Sequence, residues 1–297
     1  MMAGGFLTQV NHYDRLFDQE LTSQYNLSIR VEPDGLSFSV YAPFLSKFIG
    51  LESVKFTGHE ELLSKPVVEA DTEDIRNFVG QHPWLLNPFR HTCLIVCSQV
   101  YTFIPHVLYN EQERNTYLSF VHQFENPETV SAQFLNSAEA WVVYGLSRNL
   151  FQTLKTMYSD ASMIHHAGAF IETILPRYRH SQLQNPVFVN ISKGFFDIVI
   201  LGEGKLRYCN SFNWKTNEDV SYFLIFVLDQ LGLNPENVQV LLSGNVSPDS
   251  GLFSLLYRYI RHLSFIKGSE PVKGGVVLPD EAEFRFVELL NPALCAL

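Results

Sequence analysis

Apolar and polar positions alternate over Leu27-Ser28-Ile29-Arg30-Val31 and again over Leu36-Ser37-Phe38-Ser39-Val40-Tyr41. Between them Glu32-Pro33-Asp34-Gly35 supplies turn chemistry: Pro presets φ and Gly accepts a positive φ. The pattern predicts a hairpin, extended by a third strand around residues 47–54. A second passage has the same rhythm. Val187-Phe188-Val189-Asn190-Ile191 passes through Ser192-Lys193-Gly194 into Phe196–Leu201, and Gly202-Glu203-Gly204 turns the chain into Leu206–Cys209.

A helix follows each predicted meander. In the first half Asp71 or Thr72 caps a run with apolar Ile75, Phe78 and Val79. In the second, Thr216-Asn217-Glu218-Asp219 opens residues 220–231 and Gly232 closes them. That second helix is apolar almost all round, so the pattern predicts it sandwiched within the protein. Val238–Leu242 reads as a buried parallel strand ending at Ser243-Gly244-Asn245, and Ser250 or Gly251 opens a helix over 252–262.

The remainder of the first half alternates in kind. Residues 93–97 and 100–104 read as a strand pair, 110–124 as a helix and 140–144 as a strand. Ser147 caps a helix through Met157, 162–166 is a strand and 167–178 a helix. Adjacent His165 and His166 on a strand would point to opposite faces, one into the core and one to the surface. The polar stretch 179–186, ended by Pro186, reads as a linker. The predicted organisation is an N-terminal extension (1–25), a first subdomain (26–180) and a second (186–297). Strands alternating with helices after an antiparallel opening give an α/β protein with mixed sheets.

Composition narrows the function classes. In 297 residues, 46% are hydrophobic and only 18% charged, ample for a core of one or two domains. Ten more acidic than basic residues give a net charge of −10, which repels phosphate backbones and argues against nucleic acid as a partner. The first 20 residues lack a basic-then-apolar leader, and no apolar run reaches the roughly 20 residues of a membrane helix, so no direct membrane insertion is expected. Four scattered cysteines are too few for a disulfide scaffold and fit a reducing cytoplasm, and Cys93 and Cys97, four apart on one predicted strand, read as buried free thiols. No phosphate loop of the G-x-x-x-x-G-K-[ST] type, H-E-x-x-H or G-x-S-x-G occurs. Twenty-four Phe and 13 Tyr without basic interleaving point to core and interface.

A duplicated unit of three-stranded meander, helix, strand, helix, strand, helix, from about Asn26 onward, resembles the actin-like ATPase superfamily. It is closest to the subset containing the pilus-assembly actin-like protein of type IV pili and, more narrowly, to an uncharacterised bacterial family of that fold. The resemblance implies a duplicated actin-like (ribonuclease H-like) fold: two mixed five-stranded sheets, each flanked by helices, with a cleft between the halves. It also implies a site where the first strand of each half ends in apolar-Asp-apolar-Gly, the carboxylate holding hydrated Mg²⁺ and the Gly admitting phosphates to backbone N–H groups.

Matched residue by residue, Arg30 stands at the Asp of the first half and Glu32 at its Gly; Asn190 and Ser192 stand there in the second, with Lys193 beside them. Ser243-Gly244-Asn245 keeps one glycine of the adenosine-side pair. These residues form the candidate nucleotide site. A unit-charge conflict at about 4 Å in an effective dielectric near 20 is worth about 4 kcal/mol, and about 1.4 kcal/mol is already tenfold in rate. The expectation is a degenerate, non-hydrolysing scaffold that binds a protein partner, with no cofactor unless ATP is retained, with or without Mg²⁺.

Two other readings compete. One is an ATPase or small-molecule kinase whose metal sits on Asp34, Asp197 or Asp249. The other is an anion sensor in which Arg30 and Lys193 meet a phosphate directly. The plainest reading of each residue is structural: Arg30 an exposed strand residue, Asn190 a turn former, and Ser243-Gly244-Asn245 an ordinary strand-to-helix loop.

Overall fold

A computed structural model describes residues 6–57, 72–122, 129–267, 280–291, 293 and 294. They group into two compact units, each described on its own; the division falls between Ala169 and Phe170, and residues from Glu288 onward belong to the first unit.

The first unit opens with β1 (Phe6–Tyr13), β2 (Asn26–Glu32), β3 (Gly35–Ala42), β4 (Lys47–Phe56) and α1 (Thr72–Gln81). It continues with β5 (His91–Val96), β6 (Tyr101–Pro105), α2 (Arg114–Val121), β7 (Thr129–Leu135) and β8 (Ala140–Leu146). Then come α3 (Arg148–Met157), β9 (Ser162–His165) and the start of α4 (His166–Tyr178). The main sheet has the order β1-β4-β3-β2-β5-β9, antiparallel through the meander and parallel from β2 to β9. It has six strands where five are expected. The additional strand is β1, which the pattern leaves in an N-terminal extension: only Phe6, Val10 and its C-terminal end are partly buried, too weak an alternation to read. Phe6 edges onto Phe56 and Phe78 at 5.8 and 5.7 Å, which fixes β1 on β4.

The stretches 93–97 and 100–104 do not pair with each other. β5 lies inside the main sheet, whereas β6, β8 and β7 make a separate three-stranded sheet covered by α2. Ser98 redirects the chain between them: its Oγ donates to the Gly145 carbonyl and accepts from the Val100 N–H. The expected helix over 110–124 is a 3₁₀ turn (Glu111–Glu113) leading into the shorter α2, and Phe124 lies outside the described residues, as does the candidate cap Asp71. Ser147 caps α3 by accepting from the Leu150 N–H, as the sequence predicts.

His165 and His166 do not divide between core and surface. Both are fully buried, because β9 ends at His165 and His166 already belongs to α4, which breaks the two-residue alternation. Cys93 and Cys97 are buried free thiols.

The second unit holds most of α4, then β10 (Val187–Ile191), β11 (Phe195–Gly202), β12 (Lys205–Asn213) and α5 (Asn217–Gln230). It ends with β13 (Gln239–Gly244), α6 (Gly251–Leu256), β14 (His262–Phe265) and α7 (Asp280–Arg285). Its five strands run β12-β11-β10-β13-β14, the same order as β4-β3-β2-β5-β9. Glu203 and Gly204 both take positive φ, 52° and 72°, in the two-residue β11–β12 turn, which matches the right-handed strand twist. Val187, Val189, Ile191, Val240 and Leu242 are buried together with Val220, Leu224, Val227 and Leu228 of α5.

Thr216 and Asp219 form a reciprocal capping box on α5. The helix is not sandwiched: Tyr222 and Phe226 are 65% and 47% exposed on its outer side. Counting both as apolar hid an ordinary two-faced helix. The helix predicted over 252–262 stops at Leu256, and a strand, β14, begins at His262 to pair in parallel with β13.

Candidate functional site

In the first unit the site residues lie at the end of β2. Arg30 opposes Ser37 on β3 and Ile95 on β5 in the strand register. It is not the exposed strand residue of the plainest reading; only 6% of its surface is exposed. Its Nη1 donates to Glu288 Oε1 at 2.8 Å, and its Nη2 lies 3.2 Å from Glu32 Oε1. Glu288 is fully enclosed, while the Glu32 side chain keeps 20% exposure at the rim. Beside them the Ser39 hydroxyl donates to the Leu289 carbonyl at 2.6 Å, and the Ser37 hydroxyl to Ser53 Oγ at 2.9 Å. A buried guanidinium needs a paired carboxylate to offset its desolvation, and this cluster provides two.

In the second unit β10 and β13 bring Asn190, Ser192, Lys193, Ser243, Gly244 and Asn245 to their C-terminal ends. Asn190 opposes Asp197 on β11 and Ser243 on β13. It lies inside the strand and is buried, so it is not a turn residue. Its Oδ1 accepts from the Ser243 hydroxyl at 3.0 Å, and the neighbouring carboxylate of Asp197, also fully buried, accepts from Ser211 Oγ. The turn is made instead by Ser192-Lys193-Gly194, with Gly194 at φ 81° and Lys193 half-buried.

That turn is clamped. The Ser192 N–H donates to the Phe195 carbonyl at 3.0 Å, and Trp214 donates from its indole to the Ser192 and Phe195 carbonyls and from its backbone to Gly194. Gly244 takes φ 83°, which lets the Asn245 N–H donate to the Ile191 carbonyl at 2.7 Å. The Ser192 amide, at the position where the resemblance expects the phosphate-admitting Gly, and the Asn245 amide, on the adenosine side, thus both bond within the chain.

The donor set does not fit a divalent cation at Arg30, where a guanidinium stands among carboxylates. Among the described residues no group of three or more His, Cys, Asp or Glu is arranged to hold a metal ion. Of the alternative ligands, Asp34 and Asp197 are buried and Asp249 is exposed.

Sequence reasoning missed Glu288, 258 positions from Arg30. The signal was a lone acid inside the apolar run Phe286-Val287-Glu288-Leu289-Leu290. It also missed Ser211 and Trp214, which no motif marks.

Another buried polar cluster lies in the first unit, apart from these residues. His165 Nε2 donates to the Ser98 carbonyl at 2.8 Å, since its Nδ1 accepts from the Ala167 N–H at 3.3 Å. Burial, then the neighbouring His166, hold its pKa well below the ordinary histidine value, with the Ser98 bond acting the other way.

Searches against known proteins agree with this architecture. No curated protein matches. A crystallised protein of unknown function with an actin-like ATPase fold, from Bacteroides thetaiotaomicron VPI-5482, is similar at TM-score 0.73 and 24% identity, covering 84% of this chain and 94% of that one. The PilM–PilN type IV pilus biogenesis complex contains a chain similar at TM-score 0.60 and 12% identity, covering 91% and 97%. Identities this low establish the shared fold alone. The model of the family described as protein of unknown function, DUF3822, matches residues 14–263. The chain therefore belongs to the DUF3822 family and has an actin-like ATPase fold.

Proposed function

We propose that this protein is a non-hydrolysing actin-like scaffold that works by binding a protein partner. The observation that carries the reading is the state of Arg30. Where a magnesium-holding carboxylate would be needed, a buried guanidinium is tied to Glu32 and Glu288. A divalent cation there would meet like charge at close range, worth about 4 kcal/mol for each unit of its charge at about 4 Å in an effective dielectric near 20. The engaged Ser192 and Asn245 amides support the same reading from the second unit. A partner is supported by the exposed aromatic residues of α5 and by likeness to a chain solved as part of the PilM–PilN complex.

The test is ATP turnover with Mg²⁺ on the full chain. No phosphate release above the buffer rate is expected. Hydrolysis that disappears in Asn190→Ala would refute the reading. A second reading, an ATPase or small-molecule kinase with rearranged ligands, draws on Asp197, a buried carboxylate opposite Asn190. It requires heat on calorimetric titration with Mg²⁺–ATP, and a silent titration at millimolar nucleotide eliminates it.

A further inference from the structure

We infer that the Arg30 guanidinium is an oxyanion-binding site which the chain keeps closed with its own Glu288, and that its external ligand is a phosphate-type oxyanion. The inference builds on the metal-free reading of Arg30, but the two fail separately: turnover tests that reading, and anion titration tests this one.

Glu288 occupies the place of a ligand. Its carboxylate reaches Arg30 from the far end of the sequence, at 2.8 Å, and is enclosed to 1% exposure. The segment carrying it is fastened once more, by the Ser39 hydroxyl on the Leu289 carbonyl at 2.6 Å. Glu32 behaves differently. It comes from the same strand as Arg30, touches the other terminal nitrogen at 3.2 Å and keeps 20% of its side chain exposed. That rim is where solvent meets the pair.

Guanidinium is a planar fork suited to carboxylate and phosphate alike, so what Glu288 satisfies an oxyanion also satisfies. Moving Glu288 into water regains its hydration, while the incoming anion keeps Arg30 paired. The exchange therefore keeps Arg30 paired, against the cost of exposing Leu289 and Leu290, which are buried beside Glu288. Segment release and anion binding are then linked events, each favouring the other by the same factor.

The experiment uses the full chain without divalent metal, titrated calorimetrically with inorganic phosphate at constant ionic strength. Glu288→Gln removes the competing charge and keeps the shape; it is expected to bind phosphate at least tenfold more tightly than the parent. The double variant Arg30→Gln/Glu288→Gln loses that gain. Binding in Glu288→Gln no tighter than in the parent overturns the proposal, as does a gain that survives loss of Arg30.

Should Glu288→Gln not fold, hydrogen exchange on the unaltered chain decides. High phosphate, but not chloride of equal ionic strength, should speed exchange in residues 288–291, and equal exchange in both salts overturns the proposal. Titrating Glu288→Gln with ADP in place of phosphate tells nucleotide-borne from free phosphate, and the site stands with either.

Discussion

Single residues carry different charge at matching places in the two units. Arg30 and Asn190 share a register: each lies on the first meander strand, opposite Ser37 or Asp197 on the second and Ile95 or Ser243 on the parallel neighbour. In one unit the strand carries the cation and takes its carboxylates from Glu32 and Glu288. In the other the strand carries a neutral amide and the carboxylate sits next door at Asp197. Gly244 is needed beside that amide, since a Cβ there would run into the Ile191 carbonyl oxygen and approach Asn190 Oδ1 to 2.9 Å. Its φ of 83° alone costs an L-residue about 1–2 kcal/mol. Gly244→Ala is therefore expected to lower stability by at least that amount, read as a lower urea midpoint at unchanged slope.

His165 gives a pH prediction at the same scale. Its folded pKa lies well below the 6.5 of an unperturbed histidine, first because of burial. Below about pH 6.5 the unfolded chain binds a proton that the folded chain does not. The stability this residue contributes is thus present above that pH and lost as pH falls, at up to about 1.4 kcal/mol per pH unit. Urea midpoints measured from pH 8 to pH 5 should fall more steeply for the parent than for His165→Gln; equal slopes would exclude the mechanism.

Helix α5 shows how a single element divides between packing and surface. Leu224 is fully buried among the β10, β11 and β13 side chains, whereas Phe226 is half exposed. Leu224→Ala should cost about 2–5 kcal/mol, Phe226→Ala well under that, and Thr216→Ala about 1 kcal/mol through loss of the capping box. Thermal melts of the three variants test that order.

The same helix marks the limit of legibility. Its caps were readable because Thr216, Asp219 and Gly232 act over one turn, and the meanders because turn residues and alternation are local. The fate of its outer face was not, because Tyr and Phe serve cores and surfaces alike. Strands β1 and β14 escaped for a related reason: each pairs with one neighbour and buries little, so its apolar pattern is faint. At the site, the sequence placed Arg30 and Asn190 in register but could not show that Arg30 is buried. That depends on Glu288, an acid whose meaning arises only when a segment 258 positions away folds against β2.

Across the whole molecule, the repeated strand order shows a duplicated plan whose copies have diverged in charge while keeping topology. A divergence of that kind is not undone by restoring one side chain. Arg30→Asp would supply the carboxylate that an actin-like magnesium site uses, but it would also leave Glu32 and Glu288 without their cation and add a third negative charge among them. Removing one partner from a buried pair costs about 3–5 kcal/mol, and crowded carboxylates favour protonated forms. Arg30→Asp should therefore melt well below the parent at pH 8 and recover part of the difference at pH 5. Asn190→Asp places a second buried carboxylate opposite Asp197 and should behave the same way in its own unit. The double variant is expected to gain no Mg²⁺-dependent ATP turnover, because the Ser192 and Asn245 amides stay bonded within the chain. Turnover appearing in that variant would mean that charge alone, and not the rebuilt turns, separates this chain from a hydrolysing relative.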